Sequence, residues 1–220
     1  MRTYLGTAPG VGKTYAMLDE GRRRAQCGQH VVVGWVDHHE RPETRSRLGD
    51  LEVVTPKKIT YRGCSFADLD PEAVIATEAD LVLVDELAHT TLDDGRKRSE
   101  EVAAIRNAGM DVLTTTNVAN LGSVRDWVGR LTGRRTVEWV ADDFVRSAEV
   151  VLVDVPPEVL RHRIASDQVY STERVAGALA EYFRASNLEA LSQLARAWMT
   201  GSVDRVATEL LAAGPPTYRC

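Results

Sequence analysis

The chain has little of what several common classes of protein require. Its three cysteines, Cys27, Cys64 and Cys220, show no CxxC spacing. That pattern excludes a disulfide framework and a zinc cluster and fits a reducing compartment, with each thiol expected to be inert because reactivity needs a lowered pKa. Long apolar runs are absent as well. The longest are short stretches such as LVLV (81–84) and VVLV (150–153), against the roughly 18 to 20 consecutive apolar residues that cross a bilayer. The chain by itself is therefore expected to make no membrane contact. A strand and a glycine-rich turn occupy the extreme N-terminus and leave no room for a secretory leader, so a cytoplasmic location is expected, with a membrane-anchored parent if this is an excised domain. Excess positive charge is missing too: the formal net charge is −5 and the pI about 5.6, which argues against a general nucleic-acid binder. There is no internal repeat and no low-complexity segment.

What is present is an α/β pattern. With 220 residues, 44% of them apolar, the chain can bury one sizeable α/β domain, or a domain and an appendage. Short apolar runs at 3–6, 31–37, 81–86, 111–117, 136–140 and 150–155 alternate with helical patterns. Val/Leu-rich runs joined by crossovers long enough for helices predict an open parallel sheet with helices on both faces, of the P-loop NTPase-like kind. The first helix is expected from Lys13 to about Gly28, its Arg22–Arg24 run lying at the favourable end of the helix dipole, or alternatively forming an anion site. Further helices are expected at about 97–108 and 121–131, with Gly109 and Gly133 as stops. After Pro156 and Pro157 the pattern is helical alone. Val175, Leu179, Tyr182 and Phe183 share one face, and Leu188, Leu191, Leu194, Ala195 and Trp198 the next. The expected organisation is a nucleotide-binding α/β domain over 1–155, a helical extension packed on it over 156–213, and a tail or linker start at 214–220. Docking of the extension's apolar faces onto a separate partner domain is the alternative.

The stretch GTAPGVGKTY is close to a phosphate-binding loop. In such loops glycines let backbone N–H groups converge on phosphate oxygens, a lysine reaches the terminal phosphates and a hydroxyl meets magnesium. Gly12, Lys13 and Thr14 hold their usual places, but the first position of the motif falls on Thr7, with the glycine one residue early at Gly6. A strand before the loop and a helix after it supply the expected context, since a helix N-terminus suits a polyanion. Gly10 and Gly12 give backbone freedom, Pro9 stiffens the turn, and Ala8, Val11 and Tyr15 complete the segment. Lys13 is expected on the β- and γ-phosphates of ATP and Thr14 on Mg²⁺.

A second element strengthens the first. LVLVDELAHT runs four apolar residues into Asp85 and Glu86. Asp85 at a strand end is expected beside magnesium, and Glu86 can orient or activate a water for attack on the γ-phosphate. The end of the second run, WVDHHERPET, brings Asp37, His38, His39, Glu40 and Arg41. Adjacent histidines diverge and share no further ligand spacing, so a metal site is not expected there. Asp37 or His39 sensing the γ-phosphate with Arg41 as a clamp stands beside an ordinary polar loop. Thr115, Thr116 and Asn117 end another strand and serve either as phosphate sensors or as helix caps. The run DDGRKRSEE (93–101) reads as a solvated loop or as a mobile segment offering Arg96, Lys97 or Arg98 to phosphate.

Taken together, LGTAPGVGKTYAMLDEG, VVVGWVDHHERPET, LVLVDELAHT, DVLTTTNVANL and VVLVDVPPEVL resemble, in order and over about residues 2–212, the N-terminal cytoplasmic domain of KdpD-type osmosensitive sensor histidine kinases. The resemblance implies an ATP-binding regulatory module, ordinarily followed by a universal-stress-type domain, transmembrane helices and a kinase core. Its implied partners are ATP and ADP, kinase or universal-stress-type domains in the same or another chain, and indirectly a response regulator governing potassium uptake. Three departures are visible. The family's THGR becomes His38-His39-Glu40-Arg41, keeping the second histidine and the arginine. NAPGSRH is replaced by TLDDGRK. LNVQHLES becomes Thr116 to Ser123 without its Gln-His pair. These changes fall in loops expected around the γ-phosphate and leave Lys13, Thr14, Asp85 and Glu86 in place, which favours binding over turnover. No phospho-acceptor histidine in a helical hairpin and no second ATP-binding domain are found, so the chain is expected to be an excised input domain or a relative acting in trans. A free-standing P-loop ATPase or small-molecule kinase is the alternative, though neither an acceptor lid nor an acceptor base is identifiable; a nucleic-acid-stimulated ATPase conflicts with the acidic charge.

Overall fold

Residues 1–36, 42–166 and 177–213 are described by a computed structural model. Their strands are β1 (Arg2–Gly6), β2 (Val31–Trp35), β3 (Glu52–Val53), β4 (Lys57–Tyr61), β5 (Cys64–Asp68), β6 (Leu81–Val84), β7 (Asp111–Asn117) and β8 (Glu149–Val153). Their helices are α1 (Lys13–Gln26), α2 (Pro42–Leu48), α3 (Pro71–Ile75), α4 (Arg98–Asn107), α5 (Arg125–Thr132), α6 (Asp142–Arg146), α7 (Pro157–Ala165), α8 (Ala185–Thr200) and α9 (Val203–Ala213). Six strands form one open parallel sheet, order β3-β2-β6-β7-β1-β8, flanked by helices, and β4 and β5 pair separately. Two compact units divide the chain. One comprises Met1–Tyr4, Lys13–Thr116 and Asp143–Val151; the other comprises Leu5–Gly12, Asn117–Asp142 and the described residues from Leu152 onward.

In the first unit, the continuous apolar runs are buried strands, as parallel sheets covered on both faces require. All of β6 is buried, and parallel pairing sets Val31, Val33 and Leu113 beside Leu81, Leu83 and Leu83 respectively. Helix α1 places Met17 and Leu18 in this core. At Gly21 the helix comes so close to β6 that a Cβ would lie 2.5 Å from Leu83 Cδ1, so any larger residue would require the Leu83 side chain to move. Helix α3 starts where its sequence says it should: Asp70 accepts from the Ala73 N–H at 3.0 Å, and Pro71 follows at a position that needs no N–H donor.

The arginine run meets a carboxylate. Glu20 pairs with Arg23 at 2.8 Å, Arg24 at 2.9 Å and Arg2 at 3.1 Å. The hydrogen bond from Arg23, aided by Arg24 against the cost of burial, lowers the Glu20 carboxyl to about 2 from 4.5. A depressed carboxylate adds stability that is complete above its unfolded pKa and is lost as pH falls through the folded one. The stability difference between the parent and Glu20→Gln is therefore expected to be full at neutral pH and to shrink as pH drops from about 5 toward about 3, in urea denaturation at a series of pH values. A difference that stays constant over this window would contradict the assignment.

Two segments differ from the sequence expectation. The run at 136–140 is not a strand: it makes one isolated bridge, Leu121 to Val140, and Val137 is 89% exposed, so its alternation never meets a sheet. Conversely β4 and β5 form an antiparallel hairpin, Lys57 opposite Asp68 through Tyr61 opposite Cys64. Its two-residue turn has positive φ at both Arg62 (50°) and Gly63 (79°), the twist that two-residue hairpins favour.

In the second unit, Leu188, Leu191, Leu194, Ala195 and Trp198 of α8 are buried, as their spacing predicts. The Trp198 indole N–H donates to the Asp142 carboxylate, satisfying the polar edge of a buried ring. Helix α8 ends at Gly201 with φ 71°, and Trp127 of α5 donates to Asp204 of α9 at 3.2 Å. Tyr182 packs edge-on to the buried Phe183, centroids 5.0 Å apart, in a turn following a helical stretch at 177–180. Val175 lies outside the described residues. No helix among the described residues is long and apolar enough to cross a membrane.

Candidate functional site

Asp85 is the centre of the site in the first unit. It directly follows β6, whose end is fixed by β2 on one side and β7 on the other, and its own N–H donates to the Trp35 carbonyl at 2.8 Å. The carboxylate is buried, 2% exposed. Thr14, in the first turn of α1, donates its hydroxyl to Asp85 Oδ2 at 2.9 Å, and Thr115 of β7 donates its hydroxyl to Oδ1. Burial raises the Asp85 pKa; Thr115, Thr14 and the charge of Lys13 oppose that rise without cancelling it. Lys13 opens α1 and is itself buried. The Asp85 carboxylate and the Thr14 and Thr115 hydroxyls are oxygen groups of the kind a hard cation takes as ligands, whereas the Lys13 ammonium suits an anion.

Glu86 is exposed and sits at φ 58°, a left-handed conformation unusual for a side chain of this size. Thr115 also fixes it: the Glu86 N–H donates to Thr115 Oγ1 at 3.2 Å, and the Leu87 N–H to the Thr115 carbonyl at 2.9 Å. One hydroxyl thus donates to Asp85 and accepts from Glu86, using both capacities of a threonine. Sequence reading had offered Thr115 as a phosphate sensor or cap; its observed partners are the two acidic residues. Thr116 is buried. Tyr15 is 38% exposed on α1, where the Arg47 guanidinium lies 4.4 Å from its ring centroid and hydrogen-bonds its hydroxyl. Asp37, His38, His39, Glu40 and Arg41 lie outside the described residues.

In the second unit, the loop from Gly6 to Gly12 follows β1. Thr7, Ala8 and Val11 are buried, and Pro9, Gly10 and Gly12 partly so. Gly10 (φ 88°) and Gly12 (φ 106°) adopt conformations that side chains resist, which explains the residue type at both positions. Asn117 ends β7 without making a side-chain cap to the following 3₁₀ turn at Val118–Asn120. With Pro9, Arg134 and Tyr182 it lines a cavity of about 530 Å³.

Sequence reading missed a buried charge cluster in the first unit. Arg98, which it treated as a possible phosphate contact on a solvated or mobile run, is fully buried at the start of α4. Its guanidinium bonds Asp68 at the end of β5, lies 3.1 Å from Glu101 and stacks 5.4 Å from the Trp35 ring centroid. The Glu101 contact is too bent for a directed hydrogen bond and rests on charge. His89 approaches Asp68 at 3.6 Å and Lys57 approaches Glu101 at 3.7 Å. Burial works to raise the Asp68 carboxyl, but the nearby His89 imidazole and the Arg98 charge outweigh it and the net direction is down. For Glu101 burial dominates over Arg98 and the direction is up. The cluster ties the DELAHT segment, through His89 and the Arg98 N–H bond to the His89 carbonyl at 2.9 Å, to the β4–β5 hairpin.

The architecture is thus an open parallel α/β sheet of the P-loop-like class, with a buried strand-end carboxylate bonded to the threonine that follows Gly-Lys. Comparison with known proteins makes the kinship specific. Residues 1–203 match the family described as KdpD, osmosensitive K⁺ channel His kinase sensor domain, and the chain belongs to that family. It is 45% identical over 202 residues to the sensor protein KdpD of Mycobacterium tuberculosis, covering 90% of this chain and 24% of that protein. It is 39% identical over 215 residues to the sensor protein KdpD of Escherichia coli K12, covering 96% and 24%. To a putative sensor protein KdpD of Synechocystis it is 40% identical over 197 residues, covering 88% and 53%. The chain therefore spans about a quarter of the length of the first two relatives and about half of the third.

Proposed function

We propose that this chain is the ATP-binding input domain of a potassium-responsive two-component sensor kinase. Mg-ATP is held by the loop from Gly6 to Thr14, with backbone N–H groups and Lys13 on the phosphates and Thr14 and Asp85 serving magnesium. The observation that carries the reading is the 2.9 Å bond between Thr14 Oγ1 and Asp85 Oδ2: the two groups a P-loop uses for its metal come from separate parts of the sequence and meet. Bound ATP shifts the protein between two states and so modulates phosphorelay, through kinase or universal-stress-type domains in the same or another chain and, beyond them, a response regulator. A ligand does this only by binding one state better than the other.

One observation favours some enzymatic capacity: Glu86, exposed beside Asp85 with its backbone in a rare conformation, can orient an attacking water. Hydrolysis at this site is slow, resetting the domain rather than driving chemistry. Glu86→Gln is expected to leave ATP affinity within about twofold, since no phosphate contact is removed, and to lower residual phosphate release at least about tenfold. Equal turnover in variant and parent would remove Glu86 from the reaction. Release of ADP and phosphate by the parent, alone and with small-molecule acceptors, separates this reading from a free-standing ATPase or small-molecule kinase, for which rates of about 1–100 per second are typical.

A further inference from the structure

The unusual residue of the phosphate loop is Thr7, where the motif ordinarily has glycine. In the second unit it has a function that glycine lacks the atoms to perform. Thr7 is 3% exposed, its N–H donates to the Val153 carbonyl at 3.3 Å, and its hydroxyl donates to Asp154 Oδ1 at 2.9 Å. Asp154 immediately follows β8, and its two oxygens face different structures. Oδ1 takes Thr7 and the Val155 N–H at 3.0 Å. Oδ2 takes the Ser192 hydroxyl at 2.5 Å and the Arg196 guanidinium at 3.1 Å, both from α8. One carboxylate therefore joins the first turn of the loop to the C-terminal helices.

A second strut runs alongside. Arg163 of α7 places Nη1 3.5 Å from the carbonyls of both Gly10 and Val11, and α7 is in contact with α8, Leu160 of the one and Leu191 and Leu194 of the other being buried. Beside Asp154 lies a cavity of about 400 Å³, bordered by Pro156, Glu189 and Gln193. The side chain of Arg196 is 66% exposed and that of Asp154 20%, so the helix half of the clasp is solvent-accessible and breakable, whereas the Thr7 half is buried.

We infer that Asp154 is the positioning residue through which occupancy of the phosphate loop is reported to α8: ATP in the loop strengthens the Asp154 clasp on Ser192 and Arg196, and release of ATP loosens it. The inference rests on the ATP-binding reading above and names its output. Linkage makes the effect reciprocal, so breaking the helix half of the clasp must weaken ATP by the factor by which ATP tightens the clasp, with about fivefold to a hundredfold typical of such coupling.

The test compares the parent, Asp154→Asn and the double variant Ser192→Ala/Arg196→Ala, using Mg-ATP titration calorimetry and amide hydrogen exchange across α8. The double variant removes one hydroxyl and one exposed guanidinium, and its thermal unfolding confirms that it folds even if Asp154→Asn does not. In the parent, ATP is expected to slow exchange around 192–196 at least about threefold. In the double variant ATP still binds, about five- to tenfold more weakly, and the slowing disappears. If the parent binds ATP and α8 exchange is unchanged, or slows equally in the double variant, the clasp is merely structural and the inference is overturned while the ATP-binding reading stands. Absence of ATP binding by the parent overturns both.

Discussion

Lys13→Ala is expected to lose about a hundredfold or more in Mg-ATP affinity while keeping the fold. Removing a charge-assisted contact from a partly buried site typically costs about 2–5 kcal/mol, and each 1.4 kcal/mol is about tenfold in affinity. Lys13 is nearly buried at the start of α1, and its charge is one of the influences that hold the Asp85 carboxyl down against burial. On the proposed reading the variant would lose the phosphate contact and leave Asp85 less ready to remain ionised beside a cation. Calorimetric titration of both proteins, with circular dichroism to establish folding, measures the effect. Equal affinities would separate the loop from nucleotide altogether.

The largest stability effect is expected away from the loop. Arg98→Ala would leave Asp68 and Glu101, 3% and 1% exposed, buried without their central cation. Breaking a buried ion pair by deleting one member costs about 3–5 kcal/mol, because the remaining charge is uncompensated. For a domain of this size that corresponds to a fall in Tm on the order of 10 °C. Arg96, exposed two residues earlier, is the control: Arg96→Ala is expected to stay within about 0.5 kcal/mol of the parent. Urea denaturation of both variants tests the contrast. Similar small losses at the two positions would mean that water already reaches the cluster.

These two residues also mark what could be read from the sequence. Lys13, Thr14 and Asp85 could be picked out as candidates because each sits in a local string whose chemistry is recognisable, and the buried runs of β2, β6 and β7 were legible because a covered parallel strand is apolar on both faces. Arg98 was not, since a run of mixed charges has the composition of a solvated loop and nothing in it announces that one guanidinium turns inward between Asp68, Glu101 and Trp35. Thr115 was found but not its partners, because its bonds to Asp85 and Glu86 depend on the β6–β7 register, in which Val84 faces Thr114. The 136–140 run shows the opposite error: its alternation is real, yet its apolar Val137 faces solvent. The β4–β5 hairpin carried a weaker signal than an Asn-Gly turn, with arginine at the first positive-φ position. Thr7 was noticed only as a departure from the motif; its bond to Asp154 joins residues 147 positions apart and becomes visible only once β1 and β8 have led into their turns.

Titration of the unmodified chain with ATP in the presence of magnesium, followed by phosphate release from the same sample, bears most directly on the ATP-reading role. The expected result is saturable binding at a single site with turnover slower than about one per minute, far below the typical kinase range of about 1–100 per second. No heat of binding at millimolar ATP, or release at kinase-like rates, would contradict it.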